Sequence, residues 1–512
     1  MRTYRNPVIA GWHPDPSVCR VGDDYYLACS SFEYFPGVPI FHSRDLVNWT
    51  QLGNVLDRPS QLRLPPGTPS SGGVYAPTLR HHAGRFWLIM SNVPHGGTLL
   101  VTAEDPAGDW SDPVHLPGLT GVDPDLAWDA EGNCWCTCAG IEQVRIDPFT
   151  GTVLSRPKRL WSGTPGARFP EAPHLYRIGD TWYLLIAEGG TERGHGVSVA
   201  RGPAPDGPFE PCPTNPILSH RSTDHPIQNT GHGDLVQAAD GSWWLVFLGV
   251  RPRGGTPGWH VLGRETFLAP VSWVDGWPVV GQVDPLTVAP DAGPAPTSAP
   301  VGAAPARDDF DTGVLHPRWI SVRSRPPEDV SLAERPGWLT LHARGGSLDD
   351  PTVTFVGRRQ DQHDVQVRAL VDAGRGRGGL AVRLDEQHHY AVEVAGGEVS
   401  VRARIGPLAQ CLATRSVAGP VVLRIETRAS GPEMDHPRQE PDVVRLGLEF
   451  ADGEFVALAE LDGRYLATEV AGGFTGRVIG CYAAAGTIQV DWYDYRSLSS
   501  DRLAMADDLI DA

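Results

Sequence analysis

One pattern is written five times in the first 300 residues: a polar or turn-forming start, a short strand, a tight turn, and an aromatic-rich return strand. The fullest copy runs from Glu171-Ala172-Pro173-His174 through the turn Gly179-Asp180 into Trp182-Tyr183-Leu184-Leu185. Asp15-Pro16-Ser17 leads through Gly22-Asp23 into Tyr25-Tyr26-Leu27, and Tyr75-Ala76-Pro77 through Ala83-Gly84 into Phe86-Trp87-Leu88. Asp123-Pro124-Asp125 leads through Glu131-Gly132 into Cys134-Trp135-Cys136, and Gly231-His232-Gly233 through Asp240-Gly241 into Trp243-Trp244-Leu245. The repeat length, 47 to 61 residues, is that of a propeller blade. A lone hairpin would expose one hydrophobic face, so the units must stack and close, and five copies predict a five-bladed β-propeller. In that arrangement each blade's first strand lies nearest the axis with its leading residue at one mouth. Asp15, Asp123 and Glu171 are then expected to converge although 156 residues separate the first from the last.

A chain of 512 residues exceeds what one core organises, so two domains are expected. The break falls where proline and alanine crowd the sequence, from Pro285 to Arg307. Residues 1–295 are assigned to the propeller. Residues 306–512 are assigned to a second all-β domain, because segments such as Thr352–Val356, His389–Val394, Val444–Phe450 and Ile488–Tyr495 read as short strands with almost no helix between them. A two-sheet β-sandwich fits.

The net charge of −18 argues against nucleic acid or anionic membrane as a partner. No apolar run is long enough to span a bilayer, and Met1–Pro7 carries no hydrophobic signal segment, so a cytoplasmic location is expected. A homo-oligomer is compatible with the sequence. The eight cysteines do not form a secreted framework; Cys134, Cys136 and Cys138 alternate along one strand and read as buried thiols. Cys19 and Cys29 flank the first hairpin, placed to face each other across it, with unpaired core thiols the preferred reading. The loop from Ser31 to Pro39, with three aromatics beside a Pro-Gly turn, reads as a rigid wall.

An isolated Asp or Glu in a loop usually caps or solubilises, but three at one blade position suggest chemistry. The proline after Asp15 is expected to hold it in extended geometry. Glycoside hydrolysis needs a proton for the leaving oxygen and a carboxylate that activates water or attacks carbon. The longer Glu171 suits the first task and Asp15 the second, with Asp123 keeping Glu171 protonated by like-charge repulsion. The same carboxylates would also suit a hard cation such as calcium, or a funnel that binds sugar without turnover. His232, between glycines, marks a close backbone approach and is a candidate ligand for an axial calcium; packed structural histidine is the alternative.

The runs His13-Pro14-Asp15-Pro16-Ser17, Ser30 to Ile40, Glu171-Ala172-Pro173-His174, Thr230-Gly231-His232-Gly233-Asp234 and Gly263-Arg264-Glu265-Thr266 resemble glycoside hydrolase family 43, in its two-domain β-xylosidase branch. The resemblance spans nearly the whole chain, including a Gly357-Arg358-Arg359-Gln360 run in the sandwich, of concanavalin-like jelly-roll type. It implies Asp15 as general base, Asp123 as pKa modulator and Glu171 as general acid, with inversion at the anomeric carbon. It further implies that Phe32 lines the sugar pocket and that Arg264 and His232 lie near the terminal sugar. Tyr75 stands where relatives commonly have tryptophan, which bears on substrate preference. The expected activity is release of xylose from the non-reducing end of β-1,4-xylo-oligosaccharides, with no cofactor required; the rival expectations are α-L-arabinofuranosidase activity and carbohydrate binding without catalysis.

Overall fold

The computed structural model describes residues 2–255, 257–284, 286–289, 306–429 and 440–498. The chain is all-β: among these residues the only α-helix is the single turn Thr468–Ala471, and no helix is long and apolar enough to cross a membrane. It divides into two compact units.

The first unit is a five-bladed propeller. Its blades begin with the inner strands Ser17–Val21, Thr78–His82, Asp125–Trp128, Glu171–Ile178 and Gln228–Gln237, each paired antiparallel with the aromatic return strand that follows. The sheets are separate, so what holds the ring together lies between them. Each blade interface buries a hydrophobic cluster of its own, seen in Leu79 against Val38 and Ile40, Leu126 against Trp87, Leu175 against Ala127, Leu235 against Val197, and Val18 against Val236. Trp87, Trp110, Trp182, Trp244 and Trp277 fill these wedges, and each is at least nine-tenths buried. The ring is closed by the N-terminal segment. Arg2–Arg5 pairs with Leu286–Ala289, and Tyr4 Oη and Asn6 Nδ2 both donate to the Leu268 carbonyl of blade five at 2.8 and 3.0 Å.

A second device ties the inner strands at the axis. Arg80 donates to Asp234 at 3.0 Å and to Asp125 at 2.7 Å; Asp234 also accepts from Ser17 Oγ, the Val18 amide and Tyr176 Oη. Residues from all five blades thus meet on one guanidinium and two buried carboxylates. Burial alone would raise the Asp234 carboxyl, but the Arg80 charge leads the opposing contributions and it falls to about 2. Replacing Arg80 with methionine leaves two buried carboxylates without a counter-charge and should cost roughly 3–5 kcal/mol. Urea denaturation of the variant reads this directly, and an unchanged midpoint would deny the clamp a structural role.

The second unit is a sandwich of two antiparallel sheets. One contains, in order, Val330–Ser331, Leu339–His342, Thr487–Ser497, Val365–Asp372, Val421–Arg428, Val443–Glu449 and Phe455–Asp462. The other runs from Leu408–Ser416 through Glu398–Ile405, His388–Ala395, Arg377–Arg383, Val478–Ala485 and Thr354–Arg359 to Ile320–Val322. Strand Val365–Asp372 alternates buried and half-buried along its length, and its valines join Leu380, Val392, Ile425 and Val490 in one core between the sheets.

Several expectations change. The proline-rich linker lies mostly outside the described residues. The stretch from Thr256 to Pro278 reads in sequence as the last outer strands of blade five, but Pro252–Gly263, with Trp259, groups with the second unit, as does Pro65–Ser71, and blade five ends on Glu265–Val274 and Trp277–Val280. The Ser43–Trp49 segment, which reads in sequence as the outer edge of its blade, is a turn leading to the outer strand Thr50–Leu56, because the Asp45 carboxylate gathers the amides of Val47 and Asn48. The buried thiols Cys134, Cys136 and Cys138 share one cluster. Cys19 and Cys29 do not face each other: Cys19 opposes Tyr26 and packs toward blade two, whereas Cys29 packs toward blade five.

Candidate active site

Asp15, Asp123 and Glu171 stand at the same end of inner strands one, three and four, and the loops that present them are pinned by backbone bonds. The carbonyls of Pro14, Val122 and Pro170 accept from the amides of Ser30, Ala139 and Gly140 at 3.1, 2.8 and 2.8 Å. Asp15 and Asp123 are not extended: their φ values are +56° and +52°, the left-handed region, as are those of Ala172 at +48° and His232 at +47°. The preference of a pre-proline residue for extended backbone is overridden here. Such conformations cost about 1–3 kcal/mol each and persist where surrounding bonds over-determine them, a common property of functional sites.

Asp15 is the most heavily contacted of the three. Its Oδ2 accepts from Ser30 Oγ at 2.5 Å, and its Oδ1 accepts from Arg264 at 2.9 Å and lies 3.4 Å from His232 Nδ1. Burial pushes its carboxyl up, but Arg264, His232 and Ser30 together outweigh it and hold Asp15 below the usual carboxylate range. Glu171, half-buried and beside a bulge in its strand, goes the other way: burial first and the Asp15 charge second raise it to about 7. Asp123 is also raised, by burial and then by the charges of Glu171 and Asp15, although the Ala172 amide donates to it at 3.3 Å. Three carboxylates at one mouth thus divide into one whose proton affinity is lowered, Asp15, and two whose affinity is raised, Asp123 and Glu171.

All seven residues expected in the site come together. Arg264 spans Asp15 and Thr191 Oγ1, the latter at 3.0 Å, and its guanidinium lies 5.7 Å from the Phe32 ring centroid. Phe32 meets Tyr75 edge-on at 5.5 Å and packs on Trp12. The aromatic loop is a buried wall, not a displayed one. Phe32, Tyr34 and Phe35 are 1%, 0% and 8% exposed because Trp12 and neighbouring chain cover them, which leaves half-buried Tyr75 as the more accessible ring. His232 is neutral, its pKa lowered to about 3 chiefly by burial and only partly restored by Asp15.

Ser30, Thr191 and His195 complete the site without having been singled out as functional. His195 Nδ1 faces the Asn229 carbonyl at 3.0 Å, and burial lowers its pKa to about 4. Its ring packs so closely on Gly231 that a Cβ there would sit 2.2 Å from it, which accounts for the first glycine of the Gly231-His232-Gly233 run. Among the described residues no group of three or more His, Cys, Asp or Glu side chains is placed to hold a metal ion. His232 Nδ1 is turned to Asp15, so the residues present do not form a calcium cage around it.

The model of glycosyl hydrolases family 43 matches residues 4–278, more than half of the chain and covering every residue named above. The chain belongs to glycosyl hydrolase family 43. Residues 307–496 match the β-xylosidase C-terminal concanavalin A-like domain, so the two-domain organisation is that of the family's xylosidase-type members. A non-reducing end α-L-arabinofuranosidase of Bacteroides ovatus is 38% identical, over 97% of this chain and 95% of its own. A xylosidase/arabinosidase of Butyrivibrio fibrisolvens is 34% identical, over 96% and 98%. The crystal structure of a xylan β-1,4-xylosidase from Bacillus halodurans superposes with a TM-score of 0.85 at 31% identity, covering 96% of this chain and all of the other. This family 43 chain is accordingly a glycoside hydrolase.

Proposed function

We propose that the chain is an inverting exo-glycosidase that releases xylose from the non-reducing end of β-1,4-xylo-oligosaccharides, a xylan 1,4-β-xylosidase. The observation that carries the mechanism is the opposed proton affinity of Asp15 and Glu171, since an acid and a base acting together at one pH need environments that push them apart. Asp15, kept ionised by Arg264, takes a proton from a water as that water attacks the anomeric carbon. Glu171, protonated up to about 7, delivers its proton to the departing glycosidic oxygen. Asp123 acts on Glu171, as a neighbouring charge and an orienting group. Arg264 and His232 fix the carboxylate of Asp15 and reach toward the terminal sugar, and Phe32 and Tyr75 bound its pocket.

The relatives named xylosidase support the choice of xylose; the Bacteroides ovatus relative supports α-L-arabinofuranosidase as a second reading. Initial rates on matched aryl β-xyloside and α-L-arabinofuranoside separate the two, and a large arabinoside preference overturns the first. NMR of the first-formed sugar tests the mechanism: a β-xyloside should yield α-xylose before mutarotation, and β-xylose would require a covalent intermediate.

Two further results are expected. Asp123→Asn removes an ionisable neighbour whose charge, once formed, holds the proton on Glu171, so the descending limb of the pH–rate profile should move to lower pH; a limb that stays in place would leave Glu171 governed by burial and the Asp15 charge alone. No cofactor enters this mechanism, so exhaustive chelation should leave the rate unchanged. Activity lost to chelation and restored by calcium would require an axial ion. The eight cysteines, none in a disulfide, suit a reducing compartment, in keeping with action in the cytoplasm on short oligosaccharides.

A further inference from the structure

The propeller has an open cavity of about 400 Å³ at the end of the channel opposite the three carboxylates. The register of the inner strands places it. Along each of four strands a mouth residue is followed by a residue of the axial clamp and then by one that lines this cavity: Asp15, Ser17 and Arg20; Asp123, Asp125 and Trp128; Glu171, His174 and Arg177; His232, Asp234 and Gln237. Five or six residues of extended chain put the cavity roughly 15–20 Å from the catalytic mouth, with the Arg80 network between them.

Its chemistry is unlike that of the molecule around it. In a chain of net charge −18, the lining includes three arginines and two histidines and no aspartate or glutamate. Arg80 is committed to the clamp, but the others are not similarly engaged. The guanidinium of Arg20, at the exposed rim, makes no hydrogen bond or ion pair among the described residues, and that of Arg177, also exposed, reaches only the exposed Asp180, at 3.9 Å, a separation and exposure that confer little stabilisation. Beside these cations stand flat apolar surfaces. Trp128 and Trp243 are half-buried in the wall, and His82 lies stacked on Trp128 with ring centroids 4.3 Å apart and planes within 5°.

An inorganic anion has no use for indole walls, and a neutral sugar has none for two uncommitted guanidinium groups. A sugar ring bearing a carboxylate uses both: its C–H face packs on the aromatic surface and its carboxylate takes charge-assisted hydrogen bonds from arginine. The volume lies in the range of small-molecule sites. We propose that this cavity is a second, non-catalytic saccharide site that binds uronates, with Arg20 and Arg177 as the carboxylate ligands and Trp243 as a wall of the sugar subsite.

The test is calorimetric titration of the full chain with methyl β-D-glucuronide, and with methyl β-D-glucoside and sodium sulfate as comparisons. Saturable binding of the glucuronide is expected, weakened about tenfold or more by the double substitution Arg20→Ala with Arg177→Ala, and weakened also by Trp243→Ala. Turnover of whichever aryl glycoside the wild-type chain hydrolyses should be unchanged in the double variant, because neither arginine touches the catalytic mouth. Absence of saturable binding overturns the proposal, as does glucuronide binding that the double variant leaves intact, which would place the ligand elsewhere. Sulfate that competes as well as glucuronide, a measurement needing no variant, would reduce the cavity to a simple anion site and overturn the saccharide assignment.

Discussion

Replacing Asp15 with alanine is expected to lower kcat by on the order of 10,000-fold on aryl glycosides and on oligosaccharides alike. The loss is uniform because every substrate, whatever its leaving group, needs an activated water. Asp15 is suited to that role by its partners: Ser30, Arg264 and His232 all address its two oxygens, and together they keep it ionised despite burial. The same contacts make the substitution informative about Arg264. Without the carboxylate its guanidinium keeps Thr191 and the Phe32 ring, so the pocket should retain its shape and KM should change far less than kcat. A variant that lost activity only on poor leaving groups would assign proton donation, not water activation, to Asp15.

Much of this arrangement is written in the sequence because a propeller repeats. Asp15, Asp123 and Glu171 share a position relative to a turn and an aromatic strand, and that shared position carries the inference that they meet. His232 holds the same blade position in the fifth copy, whereas Arg264 has no such internal echo and was legible only through resemblance to a family. Arg80 was not legible at all: it sits in an ordinary strand, and its partners Asp125 and Asp234 lie 45 and 154 residues away in other blades. The backbone of Asp15 misled, since a local rule about residues before proline favours extended geometry while the bonds from Ser30 and Arg264 hold the residue at positive φ. Thr191 and His195 carry a weak signal in their glycine-rich surroundings. That signal acquires meaning only when Gly231 is seen to leave room for the His195 ring.

Glu171→Ala is expected to separate substrates by their leaving groups. On an oligosaccharide, whose departing alkoxide cannot leave unprotonated, kcat should fall by up to about 10,000-fold; on a nitrophenyl glycoside, whose phenolate departs unaided, the loss should be far smaller. The pH profile provides an independent check whose sign follows from the environment of the group. Burial and the Asp15 charge raise Glu171 to about 7, so the competent, protonated form is lost as pH rises through that value, and kcat/KM for the native chain should decline on the alkaline side of neutrality. Asp15, held below the usual carboxylate range, sets the acid side, so the acid limb should lie lower than an ordinary aspartate would place it. Removing Glu171 removes the titration that produces the alkaline decline, and the variant's activity on the nitrophenyl substrate should run flat through neutrality. If instead both substrates lose activity equally, or the alkaline limb survives the substitution, the proton comes from another group. Asp123, itself raised by burial and by the same two neighbours, would be that group, and Glu171 would be left to orient it.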